Sequence, residues 1–102
     1  MATTDIRVTA CDNELILIAS SPAGSAVLCH LKSGYNAPVD YQVNPRNILP
    51  SGNYTLTMIG VNWGGPSNFE VTVTNDGRPE HFSSPGGGET GVSWSQTTQI
   101  SV

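Results

Sequence analysis

The chain reads as an all-β protein: a small antiparallel two-sheet β-sandwich of seven or eight strands, Greek-key or jelly-roll-like. Three observations predict this. At the C-terminus, Val92, Trp94, Ile100 and Val102 share one parity, while Ser93, Ser95, Thr97, Gln99 and Ser101 occupy the other. A period of two over that length describes a strand with one packed and one wet face. The same alternation recurs in 54–58 and 69–74, and eleven Gly and seven Pro are spread between such runs as turn punctuation.

Each element follows in order. Ile6, Val8 and Ala10 alternate with Arg7, Thr9 and Cys11 in a first strand, and Asp12-Asn13 predicts a two-residue hairpin turn, since both residues tolerate positive φ. A second strand runs from Glu14 to about Ser20, the segment 21–25 breaks the chain, and a third runs from Ala26 to Lys32. Val39 to Val43 alternates as a fourth. The segment 44–52 carries two prolines and forms a loop. Strand five covers Asn53 to about Asn62, with Gly60 a candidate bulge. Trp63 to Pro66 turns the chain into strand six, Asn68 to Thr74. Asn75-Asp76-Gly77 is the sharpest turn signal, followed by a short edge strand over 78–82. A glycine-rich loop, Ser83 to Thr90, precedes the final strand. At 102 residues, all of this is one domain.

Composition excludes several functions. Only 12% of residues are charged, against about 25% in average globular proteins. The net charge is −4, and the four basic residues (Arg7, Lys32, Arg46, Arg78) are dispersed, whereas nucleic-acid binding needs clustered cations. No apolar run approaches the roughly 20 residues of a membrane-spanning helix. No signal peptide is visible, which fits a cytoplasmic protein or one released without a classical leader. Cys11, on the polar parity of its strand, and Cys29, on an apolar one, are expected to remain free thiols.

No constellation for catalysis emerges. The eight carboxylates are scattered, and adjacent Cys29 and His30 must point to opposite faces of a strand. The chain is therefore expected not to be an enzyme. No metal or cofactor is implied. Asn75, Asp76 and Glu80, or Asp12, Asn13 and Glu14, offer oxygen ligands for calcium, but are more simply turns. Gly86 to Gly88 lacks the lysine and helix of a phosphate loop.

Two signals remain. Leu15 and Leu17 lie on one face of the second strand, Ile16 and Ile18 on the other, and Val27, Cys29 and Leu31 oppose Leu28 in the third. Strands apolar on both faces require cover on both, from the Ile48-Leu49 loop or from another subunit. One loop hardly covers two adjacent strands, so a small homo-oligomer is expected. The second signal is Asn62-Trp63-Gly-Gly-Pro-Ser-Asn68, an indole in a turn between two amides. An aromatic face packs on a sugar's C–H patch while amides and carboxylates read its hydroxyls. An acidic, low-charge sandwich rich in Ser, Thr and Asn resembles small microbial lectins in composition, without the calcium-binding acidic loops of the bacterial fucose lectins. The expectation is a non-enzymatic, lectin-like carbohydrate-binding module, with Trp63, Asn62, Asn68 and Glu89 as ligand-binding residues. The alternative is a structural or protein-interaction subunit of a larger assembly, with no small-molecule site.

Overall fold

The computed structural model describes residues 2–34, 38–84 and 86–102. Among these residues there are eight strands, β1 (Thr3–Asp12), β2 (Glu14–Ser21), β3 (Gly24–Lys32), β4 (Tyr41–Val43), β5 (Asn53–Asn62), β6 (Asn68–Asn75), β7 (Arg78–Ser83) and β8 (Gly91–Ser101), and one 3₁₀ turn at Pro45–Asn47. They form two four-stranded sheets, ordered β4-β1-β6-β7 and β3-β2-β5-β8. Every pairing is antiparallel. The chain is a β-sandwich.

Only β2–β3 and β6–β7 are hairpins; the other connections cross between sheets. In the β6–β7 turn, Asp76 and Gly77 both take positive φ (50° and 78°), as a two-residue hairpin turn with matching twist requires. Asp12-Asn13 does not do this. Neither residue has positive φ, both are buried, and they carry the chain through a cis peptide bond from the first sheet to the second. Hydrogen bonds tie this corner down: Asn13 N donates to the Val61 carbonyl (3.2 Å), and Ser33 N donates to the Asn13 carbonyl (2.7 Å).

The inner faces meet as their alternation predicts. Ile6, Val8, Phe69, Val71 and Val73 of the first sheet are fully buried against Leu15, Leu17, Leu56, Met58 and Ile100 of the second, with Trp94 beside them and Val102 half-buried at the margin. Phe69 and Trp94 stack across the interior, with centroids 5.8 Å apart and planes within 4°.

Three β-bulges revise the expected parity. Between Val8 and Ala10 the pairing with β6 slips at Thr9, which turns Cys11 inward opposite Phe69 instead of onto a polar face. Between Leu17 and Ile18 the partner strand carries an extra residue, Leu28, so Leu28 and Cys29 are both buried and Val27 faces out at 58% exposure. The irregularity expected at Gly60 exists, but the extra residue is Ser93 on β8. It turns Val92 outward, 65% exposed, although it shares parity with buried Trp94. A bulge shifts every later side chain to the other face.

Both cysteines are buried and free. Burial pushes each thiol up to about 11. Cys11 Sγ lies 3.4 Å from the Leu31 carbonyl oxygen, a weak donor contact inside the core.

Candidate functional site

The turn 63–66 leaves β5 at the sandwich end where the second sheet meets the glycine-rich loop. Asn62 is almost fully buried, and its side chain builds this end. Its Nδ2 donates to the carbonyls of Gly65 (2.8 Å) and Glu89 (2.9 Å), and its Oδ1 accepts from Gly64 N (3.2 Å). The amide thus closes its own turn and fastens the glycine-rich loop to it. A second fastening joins Ser67 N to the Gly87 carbonyl at 2.7 Å. Of the four residues singled out for sugar binding, Asn62 and Glu89 meet, through a backbone carbonyl of Glu89. Asn68 lies at the exposed start of β6 in the other sheet, opposite Asp12.

Trp63 turns away from that loop. Its backbone N–H donates to Asn13 Oδ1 (2.8 Å), and its indole Nε1 donates to Glu14 Oε1 (3.2 Å). The ring lies beside β2, 57% exposed. Glu14 holds His30 Nε2 with its other oxygen, so Trp63, Glu14 and His30 form one surface cluster. Donation from His30 first, and from the indole second, holds the Glu14 carboxyl below the usual carboxylate range. The β2–β3 register makes this cluster: Glu14 pairs with Lys32 and Ile16 with His30, so Glu14 and His30 are diagonal neighbours. Sequence spacing carries no such signal, because it depends on the turn between the strands.

The glycine-rich loop walls a separate cavity of about 310 Å³, lined by Ser67, Ser84, Gly86, Gly87, Gly88, Glu89 and Ser93. Trp63 and Asn68 are not among its walls. Pro85, inside the loop predicted over 83–90, lies outside the described residues.

His30 is exposed while Cys29 is buried on the opposite face. His81 Nδ1 is 2.8 Å from Thr72 Oγ1 on the adjacent strand. Among the described residues no three His, Cys, Asp or Glu side chains gather as metal ligands, and no helix is long and apolar enough to cross a membrane.

A further feature is the outer face of the second sheet. Ile16 sits between His30 and Ile59, Ile18 between Val27 and Thr57, and Val61 between Glu14 and Val92. Ile16, Ile18, Val27, Ile59, Val61 and Val92 therefore form one apolar surface across four strands, and none belongs to the core cluster. The Ile48-Leu49 loop does not cover it: Leu49 is buried within the core, and Ile48 is exposed. Trp63, Glu14, His30 and Lys32 lie along one margin of this surface. Comparison with known proteins finds no matching family model, no similar curated protein and no similar solved structure.

Proposed function

We propose that this protein is a non-enzymatic structural or protein-interaction subunit, and that the outer face of β3-β2-β5-β8 is its assembly surface. The observation that carries the reading is the run of six aliphatic side chains on that face, with exposed Trp63 at its margin. Single exposed aliphatic residues need no explanation; a contiguous patch in a chain so poor in charge does. Aliphatic and rimmed by an aromatic and a few polar groups, it has the make-up of a protein-docking surface. A second copy of the chain, packed sheet against sheet, matches it in polarity, and closed twofold symmetry is the simplest arrangement.

Sedimentation equilibrium tests this. The wild type is expected at a multiple of 10.7 kDa, and Ile16→Lys or Ile59→Lys, both on a surface face, should fold normally and lower the mass. A wild-type monomer of 10.7 kDa at high micromolar concentration would overturn it.

Carbohydrate binding is the second reading, and the exposed indole of Trp63 beside the Glu14 carboxylate favours it. It now draws on Trp63 and Glu14 in place of the amide of Asn62, which the turn occupies. Glycan-array binding that Trp63→Ala abolishes without loss of stability would support it over the assembly reading.

A further inference from the structure

We propose that β8 pairs antiparallel with β8 of a second copy, about a twofold axis passing by Thr97, to join two second sheets into one continuous eight-stranded sheet. This goes beyond the face reading, since it rests on backbone hydrogen bonding at an edge and on no aliphatic side chain.

A sheet edge presents unpaired N–H and C=O groups, and proteins normally blunt such edges with prolines, charges, bulges or brevity. Three of the four edges here are blunted. β4 has three residues. β7 carries Arg78, Pro79 and Glu80. β3 carries the Leu28 bulge together with His30 and Lys32. β8 runs for eleven residues, GVSWSQTTQIS, with no proline and no charge, and its only bulge is at Ser93, near its start.

The ladder shows which of its groups face outward. Gly52 and Val102 exchange both backbone hydrogen bonds, at 2.8 Å each. Bonded and non-bonded pairs alternate in an antiparallel ladder, and the register from Asn53↔Ser101 to Gly60↔Trp94 is unbroken. Ser101, Gln99, Thr97 and Ser95 therefore point their N–H and C=O away from β5. Ser101 N confirms the direction by donating to Thr3 Oγ1 (3.2 Å), across the edge. Ser95, Thr97 and Gln99 lie beyond that cap, on a side where, among the described residues, no further strand of the sheet lies.

A strand about this long can satisfy itself. With Thr97 on the axis, Thr97 faces Thr97 of the second copy and each Ser95 faces a Gln99, giving about six backbone hydrogen bonds. The side chains brought together are neutral hydroxyls and amides, so no like charges oppose one another, and Thr–Thr is a favourable cross-strand pair. Pairing β8 with β3 would instead produce an open head-to-tail array through a bulged, cationic edge.

The test separates edge from face by working in the Ile59→Lys background. A protein of about twice 10.7 kDa is expected there, and Thr97→Pro should reduce it to 10.7 kDa. The outward N–H of Thr97 makes no ladder bond to β5, so proline removes only the intermolecular one. Thr97→Lys, which places like charges across the axis, should do the same if the proline variant fails to fold. Thr97→Cys should cross-link to itself on oxidation, since paired Cα atoms lie about 5.5 Å apart. Gln99→Cys alone should not, but mixed with Ser95→Cys it should. Monomeric Ile59→Lys protein that gives no Thr97→Cys cross-link overturns the edge proposal. If instead Ile59→Lys leaves the mass unchanged and Thr97→Pro still lowers it, the face reading fails and the edge stands. Cross-linking at Gln99→Cys alone would also overturn the Thr97 axis.

Discussion

The Phe69 ring occupies the place where Gly60 would carry a side chain: a Cβ there would lie 2.7 Å from Phe69 Cε2 and 2.8 Å from Cδ2 and Cζ. The ring cannot retreat, because it is fully buried and stacked on Trp94, which pairs with Gly60 across β5 and β8. Gly60→Ala should therefore destabilise the fold by about 1–3 kcal/mol through overpacking, read as a lower urea midpoint at unchanged slope. Adding Phe69→Leu should recover part of that loss. Strictly additive effects would show that the two sites are independent.

The same position explains what the sequence reveals and what it hides. Alternation places Ile6, Val8, Leu56, Met58, Val71 and Val73 in the core correctly, because those stretches pair without slippage. It misplaces Cys11, Val27 and Val92, each lying beyond a bulge, at Thr9, Leu28 and Ser93 respectively. An extra residue reverses parity without any residue type announcing it. The Asp12-Asn13 corner misleads for a related reason: good hairpin residues serve equally well where a chain changes sheets. At the candidate site, Trp63 is legible as an exposed indole. The burial of Asn62 and the Glu14–His30–Trp63 cluster depend on tertiary register.

Asn62 and Trp63 are adjacent and should respond oppositely to truncation. Asn62→Ala strands two carbonyls and an N–H at the sandwich end, costing about 1–3 kcal/mol for groups left without partners. Trp63→Ala removes a mostly exposed ring and should change the melting temperature little. Hydrogen exchange should rise at Gly64 in Asn62→Ala and stay unchanged in Trp63→Ala. A larger loss of stability in Trp63→Ala than in Asn62→Ala would contradict this assignment of roles.

The thiols predict an alkaline limit. Burial raises Cys11 and Cys29 from 9.0 to about 11 in the folded chain. The folded state then holds protons that the unfolded state releases, so stability is complete below about pH 9 and falls as pH rises towards 11. Replacing Cys29 by Ala should flatten that decline. At pH 8 the thiolate fraction is about a hundredth of that of an ordinary cysteine, before access is considered. Iodoacetamide should consequently label both residues only on unfolding; rapid labelling of native protein would disprove their burial.

Glu14 sets the behaviour on the acid side, at the margin of the apolar face. Its carboxyl is held low first by His30 and then by the Trp63 indole, so what it contributes is present at neutral pH and is lost as pH falls through its depressed folded value. The Lys32 ammonium on the paired residue acts in the same direction more weakly. The Trp63 Nε1–H resonance reports the loss directly, since that proton is donated to Glu14 Oε1. It should titrate in a single step below the usual carboxylate range. In His30→Ala the midpoint should move up, because the largest stabilising donor is gone, whereas in Glu14→Gln the resonance should be flat over the same range. An unchanged midpoint in His30→Ala would mean that the indole and Lys32, not the imidazole, hold the carboxylate ionised.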